Sequence, residues 1–305
     1  MDATCIIDFD NNLSKVVYSG QTLNGTIKLN LAREKKVRGV YIKFSGKGKV
    51  DWRQGKAHYK AKEIYFEDRE YFIGGPNDEV RLVPGSYYHT FSYTLPLTIP
   101  SSIFDSEYGY VRYEVCVALD MPWQRDTKFE SPFTVIQPVN LNQFPILKSP
   151  VNIEKEHTFY SCLCFRCCES EPLILRARIP VGGYIPGQTI DLEFDVTNKS
   201  NVRVSEFTIQ LVKQITCTTK TKVCRPTPKI ETLIISFEKR PGCDPNNEKR
   251  YQINFIVPPV VPTCTSSEII QVEFFIRIIG SVTGLHRKVT LYVPIVIGSC
   301  AFIDN

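Results

Sequence analysis

The strongest chemical signal in the sequence is a basic stretch between residues 33 and 62. It contains 11 lysines and arginines against two acidic residues, Glu34 and Asp51, in a chain whose formal net charge is only +5. Such an asymmetry favours a local surface for anionic partners, namely acidic or phosphorylated peptide segments or anionic lipid headgroups. The modest total charge gives no support to nucleic-acid binding.

Alternation within this stretch predicts how its basic side chains are presented. Residues 40 to 44 alternate with the period of a strand that buries one face. If this period continues past Gly46, then Lys43, Lys47 and Lys49 form one exposed row. The alternative is a solvated sheet face without a partner. We assign a partner-binding role to seven residues, which are Lys35, Lys36, Arg38, Lys43, Lys47, Lys49 and Arg53.

A second group of reactive side chains is a cysteine cluster formed by Cys162, Cys164, Cys167 and Cys168. Zinc binding, palmitoylation and unmodified thiols are the three interpretations. The cluster lacks two Cys-x-x-Cys pairs, and its two adjacent cysteines are poorly placed to bind one ion together. We therefore predict no metal site and no cofactor, and we keep lipidation and unmodified thiols as alternatives.

Motifs of the common enzyme classes do not occur in the sequence. There is no Gly-x-Ser-x-Gly, no phosphate-binding loop and no His-Glu-x-x-His. The four histidines are scattered, at His58, His89, His157 and His286. The sequence therefore predicts a binding protein and not an enzyme.

Period-two alternation extends through most of the chain, for example over residues 111–119 and 272–278. Glycine, proline and asparagine interrupt the runs at short intervals. Landmarks recur in the same order in both halves, beginning with Gly20-Gln21-Thr22 and Gly187-Gln188-Thr189. The sequence therefore predicts an all-β fold of two tandem antiparallel, immunoglobulin-like β-sandwiches with few or no helices.

Composition indicates where the two sandwiches meet. We predict a first sandwich over residues 1–148, a linker with the cysteine cluster over 149–170, and a second sandwich over 171–300. No run of about 18 apolar residues occurs, and the N-terminus lacks the features of a secretory signal. The 11 cysteines, an odd number, favour free thiols in a reducing compartment. We expect a cytoplasmic protein. We interpret its three glycosylation-type triplets as chance matches; they are Asn12-Leu13-Ser14, Asn24-Gly25-Thr26 and Asn198-Lys199-Ser200.

Several short motifs occur together in an order that is informative. They are Gly-Val-Tyr-Ile-Lys-Phe-Ser-Gly at 39–46, Leu-Val-Pro-Gly at 82–85, Pro-Trp at 122–123, Gly-Tyr-Ile-Pro-Gly at 183–187 and Pro-Ile-Val-Ile-Gly at 294–298. Together they resemble the arrestin superfamily, specifically the α-arrestins, also called arrestin domain-containing proteins. The resemblance implies two sandwiches with concave faces. It also implies an adaptor that binds cytoplasmic segments of membrane receptors and transporters and couples them to ubiquitination and endocytosis.

The resemblance also defines the expected partners. α-Arrestins typically carry Pro-Pro-x-Tyr motifs for WW domains of ubiquitin ligases, whereas Pro258-Pro259 is followed here by Val260-Val261. We therefore expect any ubiquitin ligase to be recruited by an indirect route. The other expected partners are cytoplasmic segments of membrane proteins, phosphorylated or acidic, and anionic lipids, with recruitment to the plasma membrane or endosomes.

Two other functions compete with this interpretation. One is an arrestin-fold coat or sorting subunit of an endosomal trafficking complex. The other is a thioredoxin-binding regulator that works through a cysteine, for which Cys243 lies in roughly the corresponding region of a relative; we do not transfer that role. Exposed strand edges near the N-terminus, at Cys5 to Phe9 or Val16 to Tyr18, are further candidate sites for adding a peptide strand.

Overall fold

The computed structural model describes residues 2–10, 12–104, 106–160, 170–219 and 228–303. The chain folds into two compact units. The first contains Met1–Gln137, Thr216–Lys229 and Cys264–Gln271, and the second contains Pro138–Ile215, Ile230–Thr263 and Val272–Asn305. Both units are built from antiparallel strands with two short parallel pairs, so the predicted all-β fold is confirmed. No helix among the described residues has the length and apolar character needed to cross a bilayer.

The first unit contains ten strands. They are β1 (Ala3–Phe9), β2 (Val16–Tyr18), β3 (Thr22–Leu31), β4 (Lys35–Val37), β5 (Gly39–Gln54), β6 (Ala57–Gly74), β7 (Val80–Leu82), β8 (Gly85–Thr94), β9 (Gly109–Asp120) and β10 (Thr127–Ile136). They form a three-stranded sheet in the order β1-β3-β8, a five-stranded sheet in the order β2-β10-β9-β5-β6, and the small pair β4-β7.

Aromatic side chains from the two larger sheets form the core of the first unit. The ring of Phe44 on β5 packs 5.6 Å from that of Phe91 on β8. The ring of Phe9 on β1 lies 6.1 Å from that of Phe133 on β10. Burying a phenylalanine side chain stabilises a fold by about 1.5–3 kcal/mol. This core therefore fixes which face of β5 points inward.

The second unit contains two short 3-10 helices, Leu141–Gln143 and Pro145–Lys148, and most of nine strands. The strands are β11 (Val151–His157), β12 (Leu173–Ile179), β13 (Gly183–Tyr184), β14 (Thr189–Asn198), β15 (Val204–Cys217), β16 (Lys229–Pro241), β17 (Asn247–Ile256), β18 (Ile270–Val282) and β19 (Val289–Ile297). One sheet has the order β11-β12-β14-β17 and the other β13-β19-β18-β15-β16. Strand β11 lies within the range predicted as a linker and pairs along its whole length with β12.

The repeated Gly-Gln-Thr landmark forms the same turn in both units. Gly20 and Gly187 have positive φ values of 81° and 90°, a conformation that glycine adopts without a steric penalty. In each turn the glutamine side chain accepts a hydrogen bond of 2.9 Å from a backbone N–H three residues earlier. A short parallel strand precedes each turn, β2 beside β10 and β13 beside β19. The geometry supports a duplicated unit.

Candidate binding surface

Strand β5 presents its lysines on the face opposite the core. Val40, Ile42 and Phe44 are buried, whereas Lys43, Lys47 and Lys49 are partly exposed. The alternation predicted up to Phe44 continues through Trp52, because every even-numbered residue from 40 to 52 is buried. The three lysines therefore share one face of the five-stranded sheet.

Carboxylates from neighbouring positions pair with each of these lysines. The Nζ atom of Lys43 lies 3.0 Å from Glu67 on β6, and that of Lys47 lies 3.0 Å from Glu114 on β9. The Nζ atom of Lys49 lies 3.1 Å from Asp51 on the same strand. Exposed ion pairs of this kind are screened by water and salt, so an anionic ligand can replace the carboxylate at little cost.

Hydrogen bonds within these ion pairs shift the pKa of one lysine, Lys47, and of two carboxylates, Glu67 and Asp51. Burial lowers the pKa of Lys47, but the hydrogen bond and charge of Glu114 outweigh it and raise this pKa above its usual value. The hydrogen bond from Lys43 lowers the pKa of Glu67. Hydrogen bonds from His58 and Lys49 lower the pKa of Asp51 to about 2. These shifts favour the charged forms of Lys47, Glu67 and Asp51.

Several basic side chains lie together at the end of the β5–β6 hairpin. Register places Lys62 directly opposite Lys49, and Lys60 directly opposite Asp51. Like charges that face each other across a sheet repel, and Lys62 forms no ion pair within the described ranges. We call this area the hairpin surface. It comprises Lys47, Lys49, Asp51, Arg53, Lys60 and Lys62.

Strand β9 adds another cation beside the hairpin surface. Arg112 is exposed and lies directly opposite Lys47, and its guanidinium carbon is 4.3 Å from the centre of the Tyr110 ring. A guanidinium over an aromatic face is held in place while its N–H groups still point to solvent. A phosphate on the hairpin surface would therefore find donors from three adjacent strands.

The remaining predicted residues lie away from the hairpin surface. Lys35 and Lys36 are on β4, which pairs with β7, and Lys35 lies 3.6 Å from Asp2. Arg38 donates two hydrogen bonds, of 2.9 and 2.6 Å, to the buried carboxylate of Asp120. The seven residues thus do not form one continuous patch, and the contacts of Arg38 indicate a structural role in joining the start of β5 to the end of β9.

Three residues of the hairpin surface, Asp51, Lys60 and Lys62, were missing from the predicted set, although a signal for the two lysines exists. A two-residue turn at Gly55-Lys56 pairs Gln54 with Ala57, and counting outward from this pair brings Lys62 opposite Lys49. Glycine flanked by two alternating runs is a recognised hairpin signal. Applying that rule would have identified Lys60 and Lys62 from the sequence.

The predicted cysteine cluster, Cys162, Cys164, Cys167 and Cys168, lies outside the described residues. Within the described residues every cysteine is a free thiol, and no three metal-ligating side chains converge on a site that could hold an ion. Cys243 is fully buried, its S–H group donates to the carbonyl oxygen of Asn247, and burial raises its pKa. These properties are those of an unreactive packing thiol.

The candidate strand edges near the N-terminus occupy true edge positions among the described strands. β1 pairs on one side with β3, and β2 pairs on one side with β10. β1 pairs over all seven of its residues, whereas β2 pairs over three. Only β1 is long enough to offer a peptide several consecutive backbone hydrogen bonds.

The two β-sandwich units place the chain in the class of all-β, two-domain proteins. Residues 5–142 match the arrestin (or S-antigen) N-terminal domain, and residues 169–302 match the arrestin C-terminal domain. The chain belongs to the arrestin family, among the α-arrestins or arrestin domain-containing proteins, as the resemblance predicted.

Curated relatives with similar sequences extend over nearly the whole chain. Arrestin domain-containing protein 17 of Caenorhabditis elegans is 26% identical over 95% of this chain and 69% of its own length. Arrestin domain-containing protein 1 of Rattus norvegicus is 24% identical, over 94% of this chain and 62% of its own length. Thioredoxin-interacting protein of Homo sapiens is 28% identical, over 95% of this chain and 73% of its own length. The chain thus spans about two thirds of these relatives.

Proposed function

We propose that this protein is an arrestin-like adaptor that binds phosphorylated or acidic cytoplasmic segments of membrane proteins through the hairpin surface. The observation that carries the proposal is the cross-strand juxtaposition of Lys49 and Lys62. Two ammonium groups held opposite each other are unfavourable in the free protein. An anion placed between them removes the repulsion and gains two charge-assisted hydrogen bonds.

A phosphate group is the anion best suited to this surface. It carries about −1.5 to −2 charges at neutral pH and three acceptor oxygens, whereas Asp51 and Glu114 each carry a single charge. A phosphorylated segment therefore competes favourably for Lys47 and Lys49, which are already held on the sheet by these carboxylates. An unphosphorylated acidic segment is expected to bind more weakly to the same place.

The proposal includes a cellular setting. Binding to cytoplasmic segments requires a cytoplasmic protein that is recruited to the plasma membrane or endosomes. Coupling to a ubiquitin ligase by an indirect route, and a function in endocytosis and protein transport, belong to the same proposal. No contact within the described residues favours a permanent coat subunit, and the buried thiol of Cys243 offers no support for a thioredoxin-binding function.

Fluorescence anisotropy with a labelled peptide that carries three phosphoserines tests the proposal. We expect the triple variant Lys49→Glu, Arg53→Glu and Lys62→Glu to bind at least about tenfold more weakly, because each charge-assisted hydrogen bond contributes about 1.5–3 kcal/mol. The matched control carries Lys28→Glu, Lys199→Glu and Lys288→Glu, which change the net charge equally but lie off the hairpin surface. The control should retain wild-type affinity.

Further arms of the experiment separate the alternatives. Binding should weaken as salt is raised from low ionic strength to about 0.15 M, where the screening length falls to about 8 Å. The unphosphorylated peptide and vesicles of phosphatidylserine in phosphatidylcholine serve as comparison ligands. Equal loss of peptide binding in both triple variants, or preferential loss of vesicle binding in the hairpin variant, would refute the proposal.

A further inference from the structure

The two units differ sharply in how they protect equivalent sheet edges. β6 follows β5 in the first unit and β16 follows β15 in the second, and each lies at the edge of a five-stranded sheet. β6 carries seven charged residues along its length, which oppose the addition of another strand. β16 carries its charges near its ends, and residues 232 to 237 are uncharged.

The middle of β16 exposes large apolar side chains. Ile230, Leu233, Ile234 and Phe237 are 56%, 38%, 50% and 63% exposed. β16 has 13 residues, without a glycine and with proline only at its last position, and no described strand pairs with its outer side. A long, apolar edge that no described strand covers is a site for pairing with another strand.

Symmetry limits the ways in which β16 can pair with a second copy of itself. A two-fold axis perpendicular to the sheet makes the two strands antiparallel and keeps each side chain on its own face. Opposed residues must then be an even number of positions apart, so the axis lies midway between the two copies of one residue. Only an axis at Ile235, the central residue of β16, pairs the strand over its full length.

This register is also complementary in charge and in apolar surface. It places Glu231 opposite Lys239 of the second copy and Leu233 opposite Phe237, and each pair occurs twice. The ammonium of Lys239 already lies 2.9 Å from Glu206 on β15, and its remaining donors stay free to face a second carboxylate. Moving the axis by one residue toward the N-terminus would bring Lys229 opposite Lys239, which is repulsive.

We propose that β16 is a homodimerisation edge, at which two copies of the chain form one continuous antiparallel sheet centred on Ile235. Backbone hydrogen bonds along the paired edge provide affinity, and the two Glu231–Lys239 pairs select the register. The inference is independent of the hairpin surface, because it concerns a different edge of a different unit.

Sedimentation velocity under reducing conditions, from micromolar to millimolar protein, tests the proposal. We expect a species of twice the monomer mass of 34.8 kDa. Glu231→Lys and Lys239→Glu should each raise the dimer dissociation constant by at least about tenfold, because two attractive pairs become two repulsive ones. The double variant restores both pairs with reversed sign and should recover most of the lost affinity. Glu70→Lys on β6 is the matched control and should leave the mass unchanged.

Cross-linking locates the axis. Ile235→Cys should form an intermolecular disulfide under mild oxidation, because residue 235 faces itself across the axis. Ile234→Cys should form much less, because two residues 234 are separated by more than the roughly 7 Å between Cα atoms that a disulfide spans. The unsubstituted chain gives the background from its own cysteines. A wild-type protein that stays monomeric, or a dimer unaffected by both single charge reversals, overturns the proposal.

Discussion

Asn198 organises a buried turn, and its replacement gives a sharp test of the second unit. The residue is 1% exposed. Its side-chain nitrogen donates to the carbonyl oxygens of Val202, Cys243 and Asp244, at 2.9, 3.3 and 3.2 Å. Its side-chain oxygen accepts from the backbone N–H and the hydroxyl of Ser200, at 3.2 and 2.6 Å. This environment explains why the glycosylation-type triplet offers no accessible amide in the folded protein.

The magnitude follows from this set of bonds. Asn198→Ala removes five hydrogen bonds, two of them short, and each contributes about 0.5–1.5 kcal/mol net, so we expect a loss of about 3 kcal/mol. Asn198→Asp keeps the two accepted bonds but turns a donor into a carboxylate oxygen that faces three carbonyl oxygens. We expect this isosteric change to cost more, about 4 kcal/mol at neutral pH.

Urea unfolding monitored by tryptophan fluorescence and by far-UV circular dichroism provides the assay. Both tryptophans, Trp52 and Trp123, belong to the first unit, so far-UV circular dichroism has to report the second unit. For both variants we expect the unfolding transition seen by circular dichroism to move to lower urea concentration. The control Asn201→Asp, which changes an exposed residue of the same turn, should leave this transition unshifted. A loss below about 1 kcal/mol for Asn198→Ala, or an aspartate variant as stable as wild type, would refute the reasoning.

Three further outcomes follow from single sites. Burial raises the pKa of the Asp120 carboxyl, but its hydrogen bonds outweigh burial and lower this pKa below the usual value. The contribution of Asp120 to stability is therefore present above about pH 4 and is lost as the pH falls through the lowered pKa. Asp120→Asn should therefore flatten the acid-unfolding curve measured by circular dichroism. Gly242→Ala would place a Cβ 1.9 Å from the carbonyl oxygen of Val204, and calorimetry should show a Tm lowered by at least about 5 °C. Because burial raises the pKa of Cys243, iodoacetamide should modify it far more slowly than the exposed Cys300 in native protein, as peptide mass spectrometry would show.

The strands and the duplication could be predicted from the sequence because their causes are local. Alternation along residues 40–44 reflects burial of one face of a pleated strand, and the same period continues through β5. The Gly-Gln-Thr landmarks at residues 20 and 187 mark a turn whose positive φ and glutamine hydrogen bond recur in both units. Each signal needs only neighbouring residues, so no knowledge of the topology was required.

The electrostatic state of the basic face could not be predicted in the same way. Lys47 is paired with Glu114, which is 67 positions away in sequence and reaches it because β9 lies beside β5. Lys43 on β5 is paired with Glu67 on β6, the strand on the other side of β5. A count of charges within residues 33–62 excludes both carboxylates. The net charge of that stretch therefore overstated how much of the face is left without a counter-charge.

The equivalent edge strands of the two units, β6 and β16, have diverged in chemistry while keeping the same position in the fold. The β5–β6 hairpin carries cations on a paired face, and β16 carries apolar side chains on an open edge. The two proposals drawn from them are linked by multivalency, since a dimer joined through β16 presents two hairpin surfaces. A ligand-dense surface would then be bound with an effective affinity above that of either site alone. Glu231→Lys should therefore weaken binding to a surface coated with phosphopeptide while leaving the affinity for a single soluble peptide unchanged, because the charge reversal lies outside the hairpin surface.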